Sequence, residues 1–189
     1  AGAGVTLVGN MAVNNGSATF KVRRLSPTTV SVTRLESGVE KTPSYAKITD
    51  TKSTGTAGGT FTQGVWQTRT LNTIDFDTDS IISLSTDQIT FLQAGTYIIN
   101  ASAPAILVNG NKARLRNITD STTMIVGAVT RSQNSMTRSY ITGKIIITSA
   151  KVFELQHICQ TTSASGFGQD TVAGAEAAVY TTIEIWKVA

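Results

Sequence analysis

Three groups of side chains carry types and spacings that could do chemistry. His157, the only histidine, stands two residues before Cys159, the only cysteine. On an extended chain such residues share a face about 6.6 Å apart. A Cys–His nucleophile needs exposure and a hydrogen bond between the two groups. Phe153 and Leu155 lie on the same face, so the pair is expected in an interior or an interface. No Gly-x-Ser-x-Gly elbow is present to use the histidine in a serine triad. The stretch Asp75–Ser80, "DFDTDS", places oxygen ligands at alternate positions like the start of a calcium loop. Yet Ser80 stands where that loop needs glycine, and Thr86 where it needs glutamate. The expectation is a turn held by aspartate bonds to the backbone, with no metal and no cofactor. Asp170 and Glu176 bound one loop; cutting a glycan would require two carboxylates about 5 to 9 Å apart across a cleft. No catalytic residue is assigned. The indoles of Trp66 and Trp186 offer faces for sugar stacking, but both fall in strand patterns near the domain ends and read as packing or interface residues.

The elements that must position these groups are strands. Only 15% of the 189 residues are charged, against roughly 25% in ordinary soluble domains. Threonine, serine, asparagine and glycine make up the difference, giving a polar, weakly charged surface. A single cysteine excludes an intramolecular disulfide framework. The net charge of +4 is concentrated in residues 1–55, with seven Lys/Arg against three acids, while the remainder is neutral. These charges alternate with apolar residues and lack interleaved aromatics, which fits a solvated strand face or protein contact and not nucleic acid. No run approaches the roughly 20 apolar residues of a membrane helix, and no signal peptide is visible, so no membrane insertion is expected.

Ser17–Leu25 and Thr28–Leu35 alternate apolar and polar residues around Ser26-Pro27, which predicts a hairpin. Thr49–Thr60 is polar and glycine-rich and reads as a loop. Strands are predicted over Val65–Leu71, Ile81–Leu84, Gln88–Leu92, Thr96–Ala105, Lys112–Thr119, Thr123–Val129, Thr137–Thr148, Lys151–Gln160 and Ala177–Val188. Asn109-Gly110 carries a strong hairpin signal; Asp120-Ser121 and Ser149-Ala150 read as shorter joints. The fold class is all-β, an antiparallel sandwich or barrel.

In "LQAGTYIINASAPA" (Leu92–Ala105), Gly95 precedes a strand whose Tyr97, Ile99, Ala101 and Ala103 form one small apolar face. This Gly-x-Tyr entry resembles the signature of the complement globular-head family within the tumour necrosis factor-like jelly rolls. Ile82 and Ile89 stand upstream, where that family usually has phenylalanine. With "GGTFTQGVWQTRTLNT", "SYITGKIIITSAKVFELQHICQTT" and the closing "AVYTTIEIWKVA", residues 45–189 look like the version found at the ends of bacteriophage tail fibres. The resemblance implies a ten-strand, two-sheet jelly-roll head over residues 45–189 and a compact homotrimer; residues 1–44 lie outside it and are read as an N-terminal β-rich attachment segment. It also puts the glycine–tyrosine strand and the last strand in the inner sheet, and hence Tyr97, Ile99, Ala101 and Ala103 at the trimer interface.

The function expected from this resemblance is non-enzymatic: a virion tail-fibre tip, extracellular, that binds a host-surface glycan or protein receptor. Its N-terminal segment would contact other virion proteins. A capsid decoration or head-fibre protein and a polysaccharide depolymerase are the alternatives. Strand parity gathers the turns near Asn109–Asn111, Arg131–Met136 and Ser163–Gly174 at the end opposite the C-terminus. Asn109, Asn111, Arg131, Gln133, Asn134, Phe167 and Gln169 are therefore the expected receptor-binding residues.

Overall fold

The computed structural model describes residues 19–24, 30–35, 42–171 and 174–189. The chain divides into two compact units between Thr42 and Pro43. In the first, β1 (Thr19–Arg24) pairs antiparallel with β2 (Val30–Leu35), from Thr19 opposite Leu35 to Arg24 opposite Val30. This is the hairpin expected from the alternating pattern; its Ser26-Pro27 turn lies outside the described residues.

The second unit is built from strands alone among the described residues. In chain order they are β3 (Ser44–Lys52), β4 (Gln67–Thr68), β5 (Thr73–Asp77), β6 (Ile82–Ser85), β7 (Gln88–Phe91), β8 (Gly95–Ala105), β9 (Asn109–Asn117), β10 (Thr122–Val126), β11 (Thr130–Ser132), β12 (Thr137–Ile147), β13 (Lys151–Cys159) and β14 (Ala178–Lys187). One sheet runs β12-β8-β14-β3-β5. The other runs β10-β9-β13-β7-β6, with β11 added on β9 and β4 on β13. Every pairing is antiparallel.

Period-two alternation explains the two layers. On β8 the odd residues Tyr97, Ile99, Ala101 and Ala103 are buried, as are Ile141 and Ile145 of β12 and Ile183 and Ile185 of β14. Ile89, Phe91, Leu115, Phe153 and Leu155 of the other sheet belong to the same core. Phe91 meets Tyr97 edge-on at 4.9 Å and Phe153 at 4.8 Å, contacts worth about 0.5–1.5 kcal/mol each beyond burial. Gly95 is needed because the last residues of the chain lie against it. A Cβ there would sit 2.8 Å from the Lys187 side chain, while Thr96 N–H donates to the Ala189 carbonyl at 2.7 Å.

Several expectations are corrected. Tyr97, Ile99, Ala101 and Ala103 are not an intersubunit face: the opposing sheet of the same chain covers them completely. Asn109-Gly110 is not a hairpin turn, since β8 and β9 belong to different sheets; Asn109, at φ 56°, redirects the chain into β9. Thr49–Lys52, read as the start of a loop, belongs to β3, which lies between β14 and β5. The strand expected over Val65–Leu71 is confined to Gln67–Thr68.

Candidate functional site

The buried polar residues exclude the nucleophile chemistry that the sequence raises. His157 is fully buried, and its Nε2 lies 3.0 Å from Asn111 Oδ1. Burial, helped by the nearby Arg69 charge, pushes its pKa down to about 3, so the ring is neutral. Asn111 Oδ1 also accepts from Thr130 Oγ1; with that oxygen as acceptor, Nε2 carries the proton. Cys159 donates to the Thr161 carbonyl at 3.3 Å, and burial raises its thiol pKa. Neither group is exposed to a substrate, as the apolar company of Phe153 and Leu155 indicated.

The three acids of "DFDTDS" are also engaged within the chain. Asp77 accepts from the backbone N–H groups of Ile81 and Ile82 at 2.9 and 3.2 Å. Asp75 pairs with Lys47 at 3.1 Å, and Asp79 accepts from the Ser44 hydroxyl. The turn expected there is present, with Ser80 at φ 51°. Among the described residues no group of three or more His, Cys, Asp or Glu could hold a metal ion. No helix among them is long and apolar enough to cross a membrane.

The three turns named from strand parity do meet at one end of the jelly roll. Asn109 Nδ2 donates to Thr161 Oγ1 at 2.8 Å, Asn111 Nδ2 to Ser132 Oγ at 3.1 Å, and Ile106 N–H to the Gly166 carbonyl at 3.1 Å. Arg131, Gln133, Asn134 and Gln169 are exposed there and Asn109 is half-buried. Asn111 and Phe167 are not available: they are 3% and 6% exposed. Phe167 packs on Phe61 with centroids 4.7 Å apart, and the guanidinium of the buried Arg69 covers its ring. The glycines beside it make this possible. A Cβ on Gly166 would stand 2.5 Å from Phe61 Cβ, and one on Gly168 would collide with the Tyr180 ring. The loop is folded tightly onto a small second core of Phe61, Ala105, Val108, Cys159 and Phe167.

The outward face of the five-stranded sheet is the feature that sequence reasoning missed. Register puts Lys144, Ile98, Trp186 and Tyr45 in one row across β12, β8, β14 and β3. The next row holds Thr142, Asn100, Glu184, Lys47 and Phe76. Trp186 and Tyr45 pack with ring centroids 5.3 Å apart, and Phe76 stands 6.5 Å from Tyr45. Phe76, Tyr140 and Ile146 are 55 to 62% exposed. At the centre, Glu184 accepts from the Tyr45 hydroxyl at 3.0 Å and from Asn100 Nδ2 at 3.3 Å. Burial and the Glu184 carboxylate push the Tyr45 phenol up to about 12. The even residues of β8 signal this face in the sequence, but alternation alone does not say which side the second sheet takes.

No protein-family model matches the sequence, and no curated protein does. Solved structures do match in shape. The globular domain of zebrafish complement 1qA protein superposes with a TM-score of 0.51 at 11% identity, over 79% of this chain and 98% of that one. Murine APRIL, crystallised at pH 5.0, gives a TM-score of 0.50 at 8% identity, over 77% of this chain and 98% of that one. At such identities the likeness concerns the fold. Two antiparallel sheets, with the glycine–tyrosine strand beside the last strand, make this chain a jelly roll of the tumour necrosis factor-like type.

Proposed function

We propose that the protein is a trimeric adhesion module, the tip of a bacteriophage tail fibre that attaches to a host-surface receptor, with residues 1–44 engaging other virion proteins. The observation that carries the reading is the outward face of the five-stranded sheet. Tyr45, Phe76, Ile98, Tyr140, Ile146 and Trp186 share that face, and Phe76, Tyr140 and Ile146 are largely exposed. Large apolar side chains left exposed on one sheet face mark an interaction site. In a symmetric homo-oligomer a copy of the same chain covers it, giving the apolar interface of an obligate assembly. The trimer interface therefore uses the even residues of β8 instead of the buried odd ones. Three copies place three sets of exposed end-loop residues, Arg131, Gln133, Asn134 and Gln169, on one assembly, where weak sites gain avidity.

Two measurements test this. Light scattering at micromolar concentration is expected to give the mass of three chains; a single-chain mass rejects the assembly. Fluorescently labelled protein is expected to decorate host cells, and failure to bind any cell that the virion infects rejects adhesion. No release of reducing ends from host polysaccharide is expected; if release occurs, the module is a depolymerase.

A further inference from the structure

We propose that the outward face of β9 and the strands beside it is a binding site for an acidic polysaccharide chain. The inference rests on the adhesion reading and names its ligand class. Lys112, Arg114 and Arg116 occupy alternate positions on β9 and therefore project from one face about 6.8 Å apart. Arg131 on β11 lies opposite Gly110 in register and extends the row toward the loop end. Among the described residues none of the four cations takes part in an ion pair. The facing acid is Glu154, opposite Arg116. Its two oxygens are already taken by Thr68 Oγ1 at 2.7 Å, Gln156 Nε2 at 2.7 Å and Gln88 Nε2 at 2.8 Å. Four cations with one acid held by neutral donors form a strip of positive potential, on a chain whose residues beyond 55 are neutral overall.

The strip is shaped as well as charged. Arg114 sits over Trp66, its guanidinium carbon 4.0 Å from the ring centroid, and donates through Nε and Nη2 to Gln156 Oε1 at 2.9 and 2.7 Å. A guanidinium held by a ring on one side and an amide at its edge is oriented before any ligand arrives. Beside it a groove of about 260 Å³ is lined by Gly110, Lys112, Val129, Ile158 and Gln160. Val129 and Ile158 give this groove an apolar wall for the C–H face of a sugar ring, while Lys112 supplies the charge for its carboxylate or sulfate. Gly110 keeps the upper end open to Gln160, whose Oε1 accepts from the Gly110 N–H at 3.0 Å. Alternating apolar wall and cation suit a polymer whose rings are apolar on their faces and acidic at their edges. A neutral glycan leaves the cations unused.

The test is titration calorimetry of the full chain with polygalacturonate oligosaccharide, neutral dextran and a single-stranded oligonucleotide. The assay is run at about 50 and 200 mM salt, on the wild type, on Lys112→Ala combined with Arg116→Ala, and on Lys187→Ala from the other sheet. Binding of polygalacturonate is expected to weaken at least tenfold in the double variant and at the higher salt, and to be unchanged in Lys187→Ala. Circular dichroism matching the wild type shows that the double variant is folded. Should the double variant fail to fold, Arg131→Ala is read in its place, with at least a threefold loss expected. Equal binding of dextran, tighter binding of the oligonucleotide, or wild-type affinity in the substituted chain overturns the inference. A wild type that decorates cells but ignores polygalacturonate overturns this site alone and leaves the adhesion reading standing.

Discussion

Arg69 covers the ring of Phe167 at 3.9 Å and donates through Nη2 to the backbone carbonyl of that same residue at 2.8 Å. Its Nη1 and Nε reach the Pro104 carbonyl at 3.2 Å and Thr181 Oγ1 at 3.0 Å. One fully buried side chain thus ties the loop that carries Phe167 to the ends of β8 and β14. Burial pushes the guanidinium down to about 9 against the pull of Asp50, which leaves it cationic at neutral pH.

Removing this clamp should cost far more than a surface change. Arg69→Met leaves two carbonyls without their donor, at about 1–3 kcal/mol each. The melting temperature is expected to fall on the order of 10 °C. Phe167→Ala is expected to destabilise by about 3–5 kcal/mol through lost packing, where a recognition residue would leave melting unchanged. Calorimetric scans of both variants decide it.

Acid should unfold the protein partly through His157. Its folded pKa of about 3 lies below the ordinary 6.5, so the unfolded chain takes up the proton first. The contribution is complete above about pH 6.5 and is lost as pH falls toward about 3. It amounts to about 5 kcal/mol. In urea titrations across this window, His157→Gln is expected to show a shallower loss than the wild type. Equal slopes sink the assignment.

The two faces of β8 should respond differently to charge. Tyr140→Asp, opposite Ser102 on the outward side, is expected to convert three-chain assemblies to single chains with an unchanged far-ultraviolet spectrum. Ala101→Asp, on the covered side, is expected to abolish folding, because a buried unpaired charge costs several kcal/mol. Light scattering and circular dichroism separate the outcomes.

Asp77 is expected to act as a turn anchor. Asp77→Ala frees the amides of Ile81 and Ile82 and should lower stability by about 1–2 kcal/mol. Calcium and EDTA should leave the melting temperature of the wild type within about a degree. A calcium-dependent rise would reassign the acids to a metal.

Strand existence was legible wherever alternation was strong: β8, β12, β13 and β14 appear within one or two residues of their expected bounds. β3 was hidden because "SYAKITDTK" mixes threonine, lysine and aspartate. Its outward positions pair Tyr45 with Lys47, and its buried ones include Asp50, 1% exposed and 3.4 Å from Lys52. Burial raises the Asp50 carboxyl, with Lys52 and Arg69 pulling the other way, a compensation that lies outside any local pattern. For the candidate surfaces, parity was enough to gather the end loops. It failed on Phe167 because glycines that permit close packing look in sequence like glycines that permit motion. It failed on the face of β8 because a stripe of alternate apolar residues has the same spelling whether a sister sheet or a neighbouring chain lies over it.

Lys187 stands opposite Ser44 at the register end of β14 and β3, adjacent antiparallel strands. The chain thus enters and leaves the jelly roll at one pole, on neighbouring strands. Tension applied between these two points does not shear the ladder, in which many bonds would break together. It opens the pairs one after another from Ser44–Lys187 inward, like a zip. A lone domain held by both ends should therefore yield at low force, and a load reaching it through β3 alone bypasses that weak direction.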